Sequence, residues 1–217
     1  MCGIVGYIGK KDALKVVLNG LKRLEYRGYD SAGVAFFEED AKNLRIIKRK
    51  GRISVLENIV SRRKPAYIAT TIGHTRWATH GSPSDANAHP HFDCRREIAI
   101  VHNGIIENHK TIREALTREG HEFCSSTDTE VIAHLIERSF KLGAGNFEDA
   151  FRDALRHLEG TFGIVAVSSR FPDKMLAARR GSPLLVGIGK SEYLIASDAS
   201  AIRQHTKKVI YLEHNEI

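Results

Sequence analysis

Met1-Cys2-Gly3-Ile4-Val5-Gly6 opens the chain, and the reading of this stretch decides the fold. Removal of Met1 would leave Cys2 with a thiol and a free α-amino group on one residue. The amine titrates near neutrality, so it can take the thiol proton directly or through a water. Cys2 to Ile8 is short and apolar, broken by Gly3 and Gly6. It reads as a buried strand whose glycines admit close backbone approach.

Outward from this strand, Leu14, Val17, Leu18, Leu21 and Leu24 have the spacing of an amphipathic helix, which Gly28 can end. Val34 to Phe37 and Leu44 to Ile47 read as a hairpin joined through Glu38-Glu39-Asp40, with a short helix near Ser54 to Val60. Tyr67 to Ile72 is a predicted strand. His74 to Gly81 is too polar for a core strand and too unpatterned for a helix, so it and the residues to Asp93 read as one long loop. Glu97 to His102 is a strand running into Asn103-Gly104. Helices are expected after the cap Asn108, behind the capping-box pattern Thr127-Asp128-Thr129-Glu130, and over Phe147 to Leu158. Four further strands follow, over Phe162 to Val167, Met175 to Ala178, Leu184 to Ile188 and Tyr193 to Ala196. A run of strands, a block of helices and strands again argues for an α+β fold with antiparallel sheets.

The chain has 217 residues, 42% of them hydrophobic and 27% charged, enough for one large domain over 1–217. The formal charge of +7 is scattered in short clusters, which argues against nucleic acid as a partner. Cys2, Cys94 and Cys124 form no CxxC pair, so neither a disulfide framework nor a thiol zinc site is indicated, and a cytoplasmic setting fits. No apolar run reaches the roughly 20 residues of a membrane span. The strand-like end at Val209 to Leu212 suggests a domain excised from something longer.

Each candidate residue has an ordinary reading beside its chemical one. Cys2 alone is a small apolar residue or a nucleophile. Asn103-Gly104 is a strong hairpin-turn signal, yet an Asn amide and an unobstructed Gly N–H also make an oxyanion hole. Arg27 and Arg76 are surface charges or clamps for a carboxylate. Asp128 favours the helix dipole or holds an ammonium. Trp77 is core or lid. His74, His80, His89, His91 and His102 could collect around zinc, but their spacing matches no helical ligand pair. Gly187-Ile188-Gly189-Lys190-Ser191 resembles the end of a phosphate loop, but Leu184 stands where its first glycine belongs.

Five motifs then carry a resemblance over essentially the whole chain: Cys2-Gly3-Ile4-Val5-Gly6, Arg23 to Gly33, His74 to Gly81, His102-Asn103-Gly104-Ile105 and Thr127-Asp128-Thr129-Glu130. The sequence resembles the glutaminase domains of the glutamine–fructose-6-phosphate aminotransferases, which are class II glutamine amidotransferases. The resemblance implies a four-layer αββα N-terminal-nucleophile hydrolase fold and hydrolysis of L-glutamine through a γ-glutamyl thioester on Cys2. It implies Asn103 and Gly104 as the oxyanion hole, Arg27 as a support for the nucleophile, and Arg76 and Asp128 as the clamps for the two ends of the amino acid. Thr79 and His80 would lie in the same binding loop, and Trp77 would gate ammonia passage. It implies no metal and no cofactor. A separate C-terminal isomerase domain would bind fructose 6-phosphate, in a homodimeric full-length enzyme of hexosamine biosynthesis. A glutamine-sensing domain without catalysis and a metal-dependent hydrolase are the competing classes.

Overall fold

The computed structural model describes residues 2–37, 43–63, 68–77 and 81–217. Strand β1 (Gly3–Gly9) sorts its side chains by simple alternation, because successive residues of a strand face opposite ways. Val5 and Tyr7 enter one apolar cluster with Val17 and Leu21. Ile4 enters another with Ala99, Val101 and Val165. Every residue from Gly3 to Tyr7 is buried, so β1 is covered on both faces.

The same sorting repeats through the fold. In β2 (Ser31–Phe37), Val34 and Phe36 face the first cluster, and Ala35 and Phe37 the second. Strands β3 (Leu44–Lys50), β4 (Thr70–Arg76), β9 (Leu185–Gly189), β10 (Glu192–Ala196) and β11 (Val209–Tyr211) complete a sheet in the order β11-β9-β10-β1-β4-β2-β3. Its ladders are antiparallel. A second antiparallel sheet has the order β5-β6-β7-β8, from β5 (His91–Phe92), β6 (Ile98–Ile106), β7 (Gly160–Ser168) and β8 (Phe171–Arg180). Ile98 and Ile100 of β6 join a third cluster with the helices α3 (His109–Arg118), α4 (Glu130–Lys141) and α5 (Phe147–Arg156). Ala99 and Val101 turn to the other sheet. Helices α1 (Ala13–Arg23) and α2 (Ile53–Arg63) pack on the outer face of the first sheet. The layers are therefore helix, sheet, sheet, helix, as expected.

Several local expectations need correction. His74, Thr75 and Arg76 are not loop but the last residues of β4, each at most 4% exposed. Their polarity misled because their partners come from the other sheet: His74 Nε2 lies 3.1 Å from the His102 carbonyl oxygen and 3.0 Å from Asn103 Oδ1. Asn103-Gly104 is no turn. Both lie inside β6, opposite Gly163 and Phe162 of β7. Glu130 does reach back, but to the N–H groups of Cys124 and Ser125, each 2.7 Å away, rather than to Thr127. Strand β8 is much longer than Met175 to Ala178. The Glu38-Glu39-Asp40 connection lies outside the described residues. Among those residues no helix is long and apolar enough to cross a membrane.

Candidate active site

Cys2 stands just before β1, where Gly3 pairs with Thr75 of β4. A side chain at Gly3 would have its Cβ 2.6 Å from Thr75 Oγ1 and 2.7 Å from Leu24 Cβ. Glycine is therefore what lets the strand that follows Cys2 lie so close to α1 and β4. Cys2 Sγ accepts from the Trp77 N–H at 3.2 Å, and the thiol lies 3.5 Å from the Trp77 carbonyl oxygen. Burial pushes the thiol pKa up, against the opposing pull of the Trp77 N–H and the Arg76 charge. A thiol in this state needs a base before it can attack.

Opposite Cys2, the second sheet contributes Asn103. Its Nδ2 donates to the Cys2 carbonyl oxygen at 2.9 Å. Which end of the amide faces the cysteine is set by His74, whose Nε2 must carry a proton to donate to the His102 carbonyl. The same N–H faces Asn103 Oδ1, so the Asn103 amide nitrogen is turned toward Cys2. Burial lowers the His74 pKa to about 3 and keeps the ring neutral. At Gly104, φ is +133° and a Cβ would come within 2.0 Å of the Thr161 carbonyl oxygen, so the position accepts only glycine.

Arg76 ends β4 beside Cys2, and its Nη2 donates to the Gly81 carbonyl at 3.1 Å. Burial lowers its pKa, while the charges of Cys2, Asp128 and Asp30 act to raise it. Cys2, Arg76 and Asp128 thus share one electrostatic neighbourhood. Asp128 precedes α4, is 6% exposed, and accepts the Ile106 N–H at 2.8 Å, which ties it to the end of β6. Behind them His74, His89, His91 and His102 do gather, each no more than 4% exposed. They are joined by hydrogen bonds rather than arranged as metal ligands. His102 Nδ1 and His89 Nε2 lie 2.9 and 3.0 Å from Thr129 Oγ1, and His91 Nε2 lies 3.2 Å from Thr127 Oγ1.

Arg27 is engaged elsewhere: its Nη2 pairs with Asp198 Oδ2 at 2.7 Å and its Nε donates to Tyr26 Oη at 3.0 Å. Ser197, next to Asp198, exchanges hydrogen bonds with Ile4, so Arg27 is linked to β1 through that neighbour. The Trp77 indole is 46% exposed and packs edge-on against Tyr29 at 5.5 Å. Thr79 and His80 lie outside the described residues. Sequence reasoning missed that Trp77 touches the Cys2 thiol with its main chain, and it missed the orienting role of His74. No pattern in the chain announces either one.

Comparison with known proteins fits this geometry. Residues 74–204 match the profile of a glutamine amidotransferase domain. The chain is 52% identical over 220 residues to the glutamine–fructose-6-phosphate aminotransferase (isomerizing) of Chlorobaculum tepidum, an alignment covering 100% of this chain and 35% of that protein. It is 49% identical to the protein of the same name from Pyrococcus horikoshii, covering 100% of this chain and 36% of the relative. The chain thus spans about a third of the length of these curated relatives. Among solved structures, the glutamine phosphoribosylpyrophosphate amidotransferase of B. subtilis superposes with a TM-score of 0.83 at 27% identity, covering 98% of this chain and 46% of that one. A class-II glutamine aminotransferase domain protein from Silicibacter pomeroyi shares the fold, with a TM-score of 0.64 at 17% identity and coverage of 90% and 88%.

Proposed function

Because the chain belongs to the glutamine amidotransferase family, with the layered architecture of the N-terminal-nucleophile hydrolases, we propose that it hydrolyses L-glutamine to glutamate and ammonia through a thioester on Cys2. The observation that carries the proposal is the meeting, across two sheets, of the half-buried Cys2 thiol with an amide nitrogen that donates to the carbonyl of the same residue. Loss of Met1 would give Cys2 a free amine, which takes the thiol proton. The thiolate attacks the γ-carboxamide carbon, and the oxyanion is held by Asn103 Nδ2 and the Gly104 N–H. The C–N bond breaks, ammonia leaves with the proton from the Cys2 ammonium, and water hydrolyses the thioester to glutamate and free thiol.

Arg76 holds the substrate carboxylate as a two-pronged cation, and Asp128 holds the ammonium. Thr79 and His80 contribute to recognition of the same substrate, and Trp77 covers the site. Arg27 acts at a distance, by fixing Asp198 and so the Ser197 contact to β1. As part of a protein of the relatives' length, the chain would pass the ammonia to a C-terminal isomerase domain carrying fructose 6-phosphate, within a cytoplasmic homodimer.

The test is glutamate release by protein whose intact mass shows Met1 removed, combined with labelling by a diazoketone analogue of glutamine. The label should fall on Cys2 alone, and Cys2→Ala should release no glutamate while keeping the native circular dichroism spectrum. Full activity in Cys2→Ala would overturn the proposal. Glutamine binding without glutamate release from correctly processed protein would favour a sensor instead.

A further inference from the structure

Away from the nucleophile, Cys94, His121, His134 and Glu137 bring one ligand atom each to a common point, all within 4.8 Å of one another. Cys94 lies in the turn between β5 and β6, His121 in the connection from α3 to α4, and His134 and Glu137 three residues apart on one face of α4. Cys94 Sγ is 3.8 Å from His121 Nδ1 and 3.5 Å from His134 Nδ1. The two Nδ1 atoms are 3.2 Å apart, and Glu137 Oε2 lies 3.0 and 3.5 Å from them. A tetrahedron with bonds of about 2.0 Å to nitrogen and oxygen and 2.3 Å to sulfur has edges of about 3.3 to 3.6 Å. The observed spacings scatter around those edges.

We propose that these four side chains form a structural zinc site. One thiolate, two neutral imidazoles and one carboxylate balance the charge of Zn²⁺, and this mixed donor set in tetrahedral array selects zinc over the hard cations. The outer atoms are placed to support such a site. Glu130 Oε1 lies 3.8 Å from His134 Nε2, which places an anion, short of a hydrogen bond, behind the metal-facing ring. Lys141 Nζ holds the other carboxylate oxygen, Glu137 Oε1, at 3.2 Å. The Cys94 N–H donates to Glu137 Oε2 at 3.3 Å, helping to aim that oxygen. His121, His134 and Glu137 are each no more than 5% exposed, and Cys94 is the exposed member through which an ion enters. Four protein ligands leave no open position, so the ion braces rather than reacts. It would fasten the β5–β6 turn and the α3–α4 connection to α4, the helix that begins two residues after Asp128. This departs from the expectation of no metal: the available signal was His134 and Glu137 three apart on a predicted helix.

The experiment measures zinc in the purified chain and follows cobalt substitution of stripped protein, in a Cys2→Ala background that removes the nucleophile's thiol from competition. One zinc per chain is expected. One equivalent of cobalt should give the strong visible bands of a tetrahedral site together with a thiolate charge-transfer band, and the melting temperature should rise as zinc is restored. Cys94→Ser, at an exposed position that folding tolerates, should lose the charge-transfer band and weaken zinc binding at least tenfold, while Cys94→Asp, which keeps an anionic ligand, should retain zinc. The inference fails if the chain holds no more zinc than its Cys94→Ser variant. It also fails if cobalt gives no thiolate band in folded protein, or if the melting temperature is indifferent to zinc; the cluster is then a hydrogen-bond network only.

Discussion

The amide of Asn103 is useful only one way round. Its oxygen is occupied by a neutral His74 and its nitrogen faces Cys2, so the donor is aimed before substrate arrives, which is what makes such a group effective in a transition state. Asn103→Ala should lower kcat for glutamine hydrolysis by about 10²–10³-fold with a smaller change in KM, measured by glutamate release under saturation. An unchanged kcat would remove Asn103 from the oxyanion site. Gly104 differs, because it fails sterically before it fails chemically. A Cβ there meets the Thr161 carbonyl oxygen on top of a φ that L side chains rarely adopt. Gly104→Ala should cost at least about 1–3 kcal/mol from the backbone strain alone, read as a lower urea midpoint.

At the scale of elements, β10 is pinned to β1 by more than its ladder. Glu192 accepts from Tyr7 Oη at 2.8 Å and from Lys11 Nζ at 2.7 Å. Burial alone would raise the Glu192 pKa, but these hydrogen bonds outweigh it and hold the carboxyl below its usual range. Such a group stabilises the fold above its unfolded pKa, about 4.3, and loses that contribution as pH falls through the lower folded value. Glu192→Gln should therefore destabilise by about 1 kcal/mol at neutral pH, with the gap to wild type closing below about pH 4; a gap independent of pH would refute this account. The elements themselves were largely legible. The apolar spacing of Leu14, Val17, Leu18 and Leu21 located α1, and the continuous apolar run Val34 to Phe37 located β2. Legibility failed where polar residues sit in strands. His74, Thr75 and Arg76 end β4 because the second sheet supplies partners, and a single sequence carries no mark of which distant residue will face them. Asn103-Gly104 failed for a related reason: the pair has turn chemistry, but its backbone is held in the ladder with β7.

Over the whole molecule, the two sheets meet around four histidines that the fold keeps uncharged. Burial lowers the pKa of His74, His89, His91 and His102, whereas in the unfolded chain each titrates near 6.5. Below that pH the unfolded state binds more protons than the folded one, so stability is intact above about pH 6.5 and falls as the medium is acidified. Each histidine contributes a slope of about 1.4 kcal/mol per pH unit. Unfolding midpoints should drop steeply between about pH 6 and 4, and midpoints flat across that range would show that the cluster ionises in place. The layered order was legible from runs of strands and helices, and motif resemblance singled out Cys2, Arg76 and Asp128, which the fold brings into one neighbourhood. The histidine cluster's internal bonding was not, since it depends on Thr127 and Thr129 presenting hydroxyls from another segment. One consequence concerns light rather than chemistry. The chain has a single tryptophan, and Trp77 stands with its side chain half in solvent and its main-chain N–H on the Cys2 sulfur. Tryptophan emission from the entire protein therefore originates beside Cys2, so an ordinary fluorimeter can watch that one place without any label.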